Sequence, residues 1–254
     1  MTSIDLNCDM GEIPAAIADG TQEALMRSIT SVNVACGGHA GDAATMRTTI
    51  EQAMRAGVAT GAHPGYADRE NFGRLELKIS PKAVAESVFE QVSALAMIAK
   101  ACGAPIVHVK PHGALYNQAV HNRELAVAIV QGVAQWRRDV ILVALAGSPM
   151  LEVFREAGFE VAAEAFADRR YEPDGTLRSR KFDDALIRDP QQAAQQALGM
   201  VRRGVVTASD GSEVAVSAQT ICIHGDTPGS TKIAAEVART LHAAGIALTG
   251  LTSG

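Results

Sequence analysis

The feature that most constrains this chain is a regular alternation of short apolar runs with longer amphipathic stretches. Between the runs, residues 81–102 place Val84, Val88 and Val92 on one face at helical spacing. Such an order is typical of an α/β fold with parallel strands, either a closed, TIM-barrel-like β/α barrel or an open doubly wound sheet. Seven runs are predicted as strands: SIDLNC, SVNVAC, GVATGA, PIVHVK, VILVAL, FEVAAEA and TICIHG.

The boundaries of several elements are marked by local signals. A side chain able to cap a helix followed by proline predicts a helix start. This pair occurs at Ser80-Pro81, Ser148-Pro149, Asp189-Pro190 and Thr227-Pro228. Asp210-Gly211 lies between two short β runs and predicts a β-hairpin inserted at 205–216. We expect one domain over residues 1–254, because barrels of this kind reach that length as single units.

Composition excludes several classes of function. The net charge is -5, and lysine and arginine are scattered among the acidic residues, so no basic surface for nucleic acid or an anionic membrane is expected. The opening MTSIDLNCDMGE lacks the features of a signal peptide, and no apolar run is long enough to cross a bilayer. The four cysteines are far apart, which favours reduced thiols. We therefore expect a cytoplasmic protein.

Residues capable of chemistry follow the predicted strands. The loops at the carboxyl ends of parallel strands share one face of a barrel or sheet, so these side chains are expected to meet in one pocket. They are Asn7, Asp9, Asn33, His39, His63, Lys110, His112, Glu164, Asp168, His224 and Asp226. Three other histidines, His108, His121 and His242, lie within predicted strands or helices and are expected to be structural. Asp42 is predicted to cap a helix, and Cys36 to be a small buried residue.

Two of these groups suggest ligands. Asp9, His39 and His63 form a candidate set for a divalent metal, since a carboxylate with two imidazoles is common around zinc. No HxxH or HExxH pair accompanies them, so the spacing is not diagnostic. The segment HGDTPGSTK offers backbone amides to an anion but lacks the spacing of a P-loop, so ATP binding is not inferred from it.

Six motifs in order resemble the LamB/YcsF family across nearly the whole chain. They are DLNCDMGE, NVACGGHAGD, GAHPGYAD followed by NFGR, VKPHGALYN, EAFADRRY with DGTLRSR, and ICIHGD. The resemblance implies a barrel with seven parallel strands, similar to carbohydrate deacetylase barrels. It also implies an ATP-dependent opening of 5-oxoproline (pyroglutamate) to L-glutamate, carried out together with two partner subunits, PxpB and PxpC.

The roles of single residues follow from the chemistry that such a reaction needs. A lactam is a stable amide, so its opening requires cations for the anionic groups, a base for water and an acid for the ring nitrogen. The candidate anion-binding residues are Lys110, Arg74 and Arg169, the two arginines lying in long loops, 64–80 and 165–189, that are predicted to act as lids. Asn7 and Asn33 are further candidates for substrate binding. Catalytic candidates are Asp9 with His63 or His112 as the base, and His224 or Glu164 as the acid.

Two other functions fit the same residues. The first is a metal-dependent deacetylase or amidohydrolase that acts alone, with the ion held by Asp9, His39 and His63. The second is a subunit that binds a small substrate and delivers it to a catalytic partner without chemistry of its own. A barrel fold does not choose among these functions, because it supports many kinds of chemistry.

Overall fold

The structure is a computed structural model, and it describes residues 2–252. The strands are β1 Ser3–Met10, β2 Ser31–Ala35, β3 Ala59–His63, β4 His108–Val109, β5 Ile141–Leu145, β6 Glu160–Phe166, β7 Val205–Thr207, β8 Glu213–Ala215, β9 Thr220–Cys222 and β10 Ala247–Leu248. The helices are α1 Pro14–Ala18, α2 Thr21–Met26, α3 Ala43–Ala56, α4 Pro81–Cys102, α5 Gly113–His121, α6 Arg123–Trp136, α7 Pro149–Glu156, α8 Pro190–Arg203 and α9 Ser230–Ala243.

Seven parallel strands form a closed barrel in the order β1-β2-β3-β4-β5-β6-β9. The ring closes where β9 pairs with β1, with Asp5 opposite Thr220 and Asn7 opposite Cys222. Each barrel strand corresponds to one of the seven apolar runs of the sequence. The predicted barrel is therefore confirmed, and the open doubly wound sheet is excluded. Strand β10 adds to the amino-terminal end of β1.

The helices pack around the barrel with their apolar faces inward. In α4, Val84, Val88 and Val92 are buried, as the sequence pattern predicts. The helix begins after Ser80, whose hydroxyl accepts a hydrogen bond from the Ala83 amide at 3.2 Å, and ends at Gly103, whose φ of 77° is accessible to glycine. The helix starts at Pro149 and Pro190 are confirmed as well; Asp189 caps its helix through its side chain, whereas the Ser148 hydroxyl forms no capping hydrogen bond. Asp42 caps α3 through a capping box, also as predicted.

The predicted helix start at Thr227-Pro228 is wrong. Helix α9 begins at Ser230, and Gly229, with a φ of 82°, takes the N-cap position. The Ser230 amide donates to the Thr227 carbonyl at 3.0 Å, so the proline belongs to a turn before the helix. This turn places the preceding residue Asp226 at the rim of the barrel.

The barrel interior is polar on the side of β1 and holds a small apolar cluster on β5 and β6, whereas the layer between barrel and helices is apolar. Along β1, Ile4, Leu6 and Cys8 pack in the hydrophobic core, and the alternate residues Asp5 and Asn7 hydrogen-bond to other barrel strands. Alternation along one strand thus directs apolar side chains toward the helices and polar side chains into the barrel. A barrel filled in this way holds its polar groups at fixed positions.

The interior also has room for one imidazole because a neighbouring strand carries glycine. His108 is fully buried, and its ring lies over Gly61 of the adjacent strand. A Cβ atom at Gly61 would lie 2.1 Å from His108 Nε2, closer than any normal contact. Gly61 is therefore required by the ring that occupies the space beside it.

Two segments outside the barrel ladder complete the fold. Strands β7 and β8 pair antiparallel, with Val205 opposite Ala215. The segment after β6 packs against the barrel: Tyr171 is 1% exposed, and its hydroxyl accepts a hydrogen bond from the Phe166 amide at 2.8 Å. Within residues 2–252, no helix combines the length and apolar character needed to span a membrane.

Candidate active site

Lys110 lies at the centre of the carboxyl-terminal end of the barrel. Its ammonium nitrogen is 2.8 Å from Glu164 Oε1 and 3.0 Å from Asp9 Oδ1, and its side chain is only 3% exposed. Burial alone would lower the pKa of Lys110, but the negative charges around it, beginning with Asp9, hold that pKa well above its usual value. The lysine is therefore a fixed positive charge.

An amide network beneath Lys110 fixes the carboxylates that it pairs with. Asn7 Nδ2 donates to Glu164 Oε1 at 3.0 Å, and its Oδ1 accepts from Asn33 Nδ2 at 2.8 Å. Asn33 also donates to Asp9 Oδ1 at 2.8 Å, and its own Oδ1 lies 2.7 Å from His108 Nε2. Asn7 and Asn33, predicted to bind substrate, are both buried in this network. Their contacts are with the carboxylates around Lys110.

Glu164 lies deeper than its predicted role as an acid requires. It is fully buried, and besides Lys110 and Asn7 it accepts a hydrogen bond from the Tyr116 hydroxyl at 2.9 Å. Burial, followed by the charge of Glu164, raises the pKa of Tyr116 well above its usual value, so Tyr116 remains a donor. With both oxygens occupied, Glu164 positions Lys110. Tyr116 was not among the predicted site residues.

A second group, here called the histidine cluster, consists of Glu12, His39, His63 and His112. One ligand atom from each residue lies within 4.8 Å of the others, and the cluster could hold a metal ion. Glu12 Oε1 is 2.8 Å from His39 Nε2 and 3.3 Å from His112 Nδ1. The rings of His39 and His112 stack at 3.6 Å. Loops after four consecutive barrel strands are brought together here, as expected for one end of a barrel.

The cluster differs from the predicted metal set. His39 and His63 belong to it, whereas Asp9 lies at its edge, 3.3 Å from His63 Nε2, and is engaged by Lys110. Glu12 and His112 complete it. Glu12 was missed because it lies in the loop beyond β1, where no strand periodicity places it. Its position three residues after Asp9 in the motif DMGE was the available signal.

Hydrogen bonds on the outer sides of two rings fix which nitrogens face the cluster. His63 Nδ1 lies 2.7 Å from the Lys110 carbonyl, and His112 Nε2 lies 2.9 Å from the Phe72 carbonyl. A carbonyl only accepts, so both of these nitrogens carry protons. When both rings are neutral, His63 Nε2 and His112 Nδ1 carry lone pairs that face each other at 2.9 Å.

Burial keeps the imidazole rings of His39 and His112 neutral. It lowers the pKa of His39 to about 2, with a contribution from His63, and it lowers the pKa of His112 well below its usual value. For Glu12 the same burial, reinforced by Asp9, raises the pKa to about 7. The pKa of Asp9 is held well below its usual value, because the positive charge of Lys110, and that of His63 when its ring is protonated, outweigh burial.

Asp168 and His224 form a separate pair on the other side of Lys110. His224 Nδ1 is 2.9 Å from Asp168 Oδ1, and the His224 amide donates to Asp168 Oδ2 at 3.0 Å. Asp168 is fully buried, and its pKa is lowered because the contacts with His224 outweigh desolvation. The carboxylate holds the proton of His224 on Nδ1, so Nε2 is free to exchange a proton with a ligand. Phe166 stacks against the imidazole at 5.5 Å.

The two predicted lid arginines have different environments. Arg74 is 41% exposed and forms an ion pair with Asp226, which also lies 3.4 Å from Arg180. Arg74 is thus at the rim, although its partner is Asp226 and not the neighbouring acidic residue of its own loop. Arg169 is 7% exposed and donates to the Arg178 carbonyl at 2.7 Å, so it is part of the packed segment after β6. Of the two, only Arg74 is exposed enough to cover a ligand.

Comparison with known proteins identifies the family. The model of the LamB/YcsF family matches residues 4–253. The chain belongs to the LamB/YcsF family. A LamB/YcsF relative from Chloroflexus aggregans, named as the A subunit of 5-oxoprolinase, is 50% identical, with 97% of this chain and 98% of the relative covered. A protein of the same name from Bordetella pertussis is 47% identical over the same shares of the two chains.

Solved structures agree with this LamB/YcsF assignment. The crystal structure of the lactam utilization protein from Thermus thermophilus matches with a TM-score of 0.91 and 41% identity, covering 98% of this chain and 100% of that one. A family 4 carbohydrate esterase from Streptomyces lividans matches with a TM-score of 0.50 and 13% identity, over 97% and 91% of the two chains. At that identity only the fold is shared, and the predicted likeness to deacetylase barrels is confirmed.

Proposed function

We propose that this chain is the A subunit of a 5-oxoprolinase that opens the lactam of 5-oxoproline to give L-glutamate. The observation that carries the proposal is the 50% identity, over nearly the full length of both chains, to the Chloroflexus aggregans protein of that name. The name of the Thermus thermophilus neighbour, a lactam utilization protein, supports the same chemistry. The reaction class is hydrolysis of a cyclic amide.

ATP is the proposed co-substrate, and PxpB and PxpC are the proposed partner subunits. A lactam carbonyl is a poor electrophile, and transfer of a phosphoryl group to its oxygen makes the carbon open to attack by water. The word "subunit" in the names of the relatives supports an assembly of several chains. The four cysteines lie in the described part of the chain and are all free, which favours a cytoplasmic location.

The site supplies the groups that this chemistry needs. Lys110 provides a permanent positive charge beside Asp9, where negative charge on the substrate or on its phosphorylated form is stabilised. Asp9 Oδ2 contacts His63 and accepts the proton of an attacking water. His112 is turned away from this task, since its ring nitrogens face Phe72 and the cluster. Asn7, Asn33 and Glu164 position Lys110 and Asp9.

The departing ring nitrogen needs a proton, and His224 is the proposed donor. Asp168 fixes its tautomer and stabilises the protonated ring, while Nε2 is left for the substrate. Arg74 at the rim is proposed to bind the substrate carboxylate, and its ion pair with Asp226 would break when substrate binds. Arg169 supports the packed segment beside Asp168 and is no longer proposed to contact substrate.

The test is glutamate release from 5-oxoproline by the purified chain, with and without ATP and with and without the two partner subunits. We expect release only when ATP and both partners are present. Amide hydrolysis by the chain alone and without ATP would overturn the proposal in favour of a deacetylase or amidohydrolase. A variant Asp9→Asn that weakens substrate binding but keeps the rate at saturation would indicate a binding subunit without chemistry.

A further inference from the structure

We propose that the histidine cluster binds one divalent transition-metal ion of the zinc class through Glu12, His39, His63 and His112. This goes beyond the proposed function, because it concerns the chain by itself and does not depend on the identity of the substrate. The proposal is carried by two features of the structure. One is the direction of the nitrogen lone pairs, and the other is the balance of buried charge.

The lone pairs converge on one point. The bonds from His63 Nδ1 to the Lys110 carbonyl and from His112 Nε2 to the Phe72 carbonyl leave His63 Nε2 and His112 Nδ1 facing each other at 2.9 Å. Two bare acceptors at this distance repel, so the contact requires a positive species between or beside them. The outer hydrogen bonds to backbone carbonyls are also the kind that orient histidine ligands of metals.

His39 and Glu12 complete the donor set. His39 Nε2 lies 2.8 Å from Glu12 Oε1, and the same oxygen lies 3.3 Å from His112 Nδ1 and 3.9 Å from His63 Nε2. The other nitrogen of His39, Nδ1, is buried and has no hydrogen-bond partner among the described residues. Without a cation, the ring proton is favoured on Nε2, where Glu12 accepts it. A cation bound at Nε2 would shift the proton to Nδ1 and replace this hydrogen bond.

The charges around the cluster favour a dication. Asp9, Glu12 and Glu164 have side chains that are 10%, 7% and 0% exposed, and Lys110 is the buried ammonium group that faces them. When Glu12 is ionised, as a metal ligand must be, three carboxylates against one ammonium leave two negative charges in a region with little water, and a bound dication compensates them.

The type of donor selects the class of ion. Three imidazole nitrogens and one carboxylate oxygen suit zinc and its neighbours, whereas magnesium and calcium prefer oxygen ligands. Nitrogen atoms bound to one zinc ion at about 2.0–2.1 Å and tetrahedral angles lie about 3.3 Å apart. The rings of His63 and His112 would separate by a few tenths of an ångström to accept it. With an ion bound, His63 serves as a ligand and Asp9 remains to accept a proton.

The experiment is calorimetric titration of the chelator-treated chain with Zn²⁺, with Mg²⁺ in a parallel titration and metal content measured after dialysis. Substrate, ATP and partner subunits are all absent, so the result does not depend on the oxoprolinase assay. We expect one Zn²⁺ per chain and no saturable binding of Mg²⁺. His112→Ala should weaken Zn²⁺ binding by about 100-fold or more. His121→Ala is the matched control, because it removes an exposed histidine from the same helical region.

A thermal melt of each variant without metal checks folding. If His112→Ala does not fold, Glu12→Gln replaces it, since the amide keeps the shape of the side chain and removes its charge. Tetrahedral absorption bands of the Co²⁺-loaded chain, lost in the same variant, would give independent support. No saturable Zn²⁺ binding by the parent chain, or equal binding by His112→Ala and His121→Ala, would overturn the proposal and leave a shared proton between His63 and His112.

Discussion

The histidine cluster and the Asp168–His224 pair lie on two sides of Lys110 and use the same kinds of residue in opposite ways. In the pair, the carboxylate accepts a hydrogen bond from His224 Nδ1 at 2.9 Å and another from the His224 amide, so both carboxylate oxygens of Asp168 have a partner. In the cluster, two imidazoles direct lone pairs at each other, and one carboxylate oxygen of Glu12 faces all three rings. A satisfied pair is suited to move a proton, whereas an unsatisfied cluster is suited to hold a cation.

Replacing the charge that both regions share should have the largest effect. Lys110→Met leaves Glu164 buried without its cation, and we expect a loss of about 3–5 kcal/mol in the free energy of unfolding. Activity of the assembled enzyme should be lost as well. Urea unfolding measures the change in stability, with Lys100→Met on the exposed face of α4 as the matched control. Equal stability of the two variants would contradict the central role given to Lys110.

Removing the proton carrier of the pair should reduce the rate without unfolding the barrel. For His224→Gln we expect kcat to fall by about 10²–10⁴-fold, the usual contribution of a general acid. Steady-state kinetics of the complex with partners and ATP gives the measurement. His242→Gln, an exposed histidine in α9, is the control. A change confined to KM would show that His224 binds substrate and does not transfer a proton.

In chelator-treated protein, the two regions should lose their contributions to folding stability in different pH ranges. The folded-state pKa values of His39 and His112 are below the usual 6.5, so their contribution to stability is present above pH 6.5 and decreases as the pH falls. Glu12 acts in the opposite direction, because its pKa is raised from 4.5 to about 7 and its contribution is lost as the pH rises through that range. Burial also lowers the pKa of His108 to about 3. Three imidazoles against one carboxyl leave a net loss of about 2.7 kcal/mol per pH unit on acidification from about 6.5 to 4.5.

Asp168 should not respond in that range. The pKa of Asp168 is lowered from 3.8, so its contribution is present above pH 3.8 and is lost only as the pH falls further. Urea unfolding at several pH values measures both windows. His39→Ala should reduce the slope between pH 6.5 and 4.5 to about half, because His112 and Glu12 then offset each other and only His108 remains. An unchanged slope in that variant would show that another group is responsible.

The smallest effect is expected at the rim. Arg74 and Asp226 form a partly exposed ion pair, and such pairs contribute no more than about 1 kcal/mol. Arg74→Ala should therefore leave the melting temperature nearly unchanged and raise KM for 5-oxoproline about tenfold, since the arginine is proposed to bind the substrate carboxylate. The control is Arg55→Ala, which breaks an exposed ion pair with Glu23 away from the site. A normal KM would remove Arg74 from the proposed substrate contacts.

The fold was predictable because its signals are local. Apolar runs identify the seven barrel strands, and proline after a capping residue identifies three helix starts. The same signal failed at Thr227-Pro228, where Gly229 adopts the left-handed conformation and α9 begins two residues later, at Ser230. Closure of the sheet into a barrel was not predictable from local patterns, since it depends on the pairing of β9 with β1 across the whole chain.

The site was only partly predictable. Strand ends correctly indicated which residues approach the carboxyl-terminal face, including His39, His63, Lys110 and His224. Their depth was not accessible, because a strand end alone does not tell whether Glu164 faces a ligand or lies buried beneath Lys110. Glu12 and Tyr116 lie in a loop and on a helix, and only the folded barrel brings them to the strand ends.

The polar barrel interior also has a consequence for the order of folding. Asp5 and Asn7 near the start of the chain reach their partner Thr220 only after more than 200 residues, with separations of 215 and 213 positions. Until β9 joins β1, these groups must stay hydrated, because an unpaired carboxylate or amide in a dry interior is costly. Expulsion of water from the barrel and joining of its two ends are thus one event, and such long-range contacts form slowly. Pairing of β9 with β1 is therefore the step that allows water to leave the barrel interior.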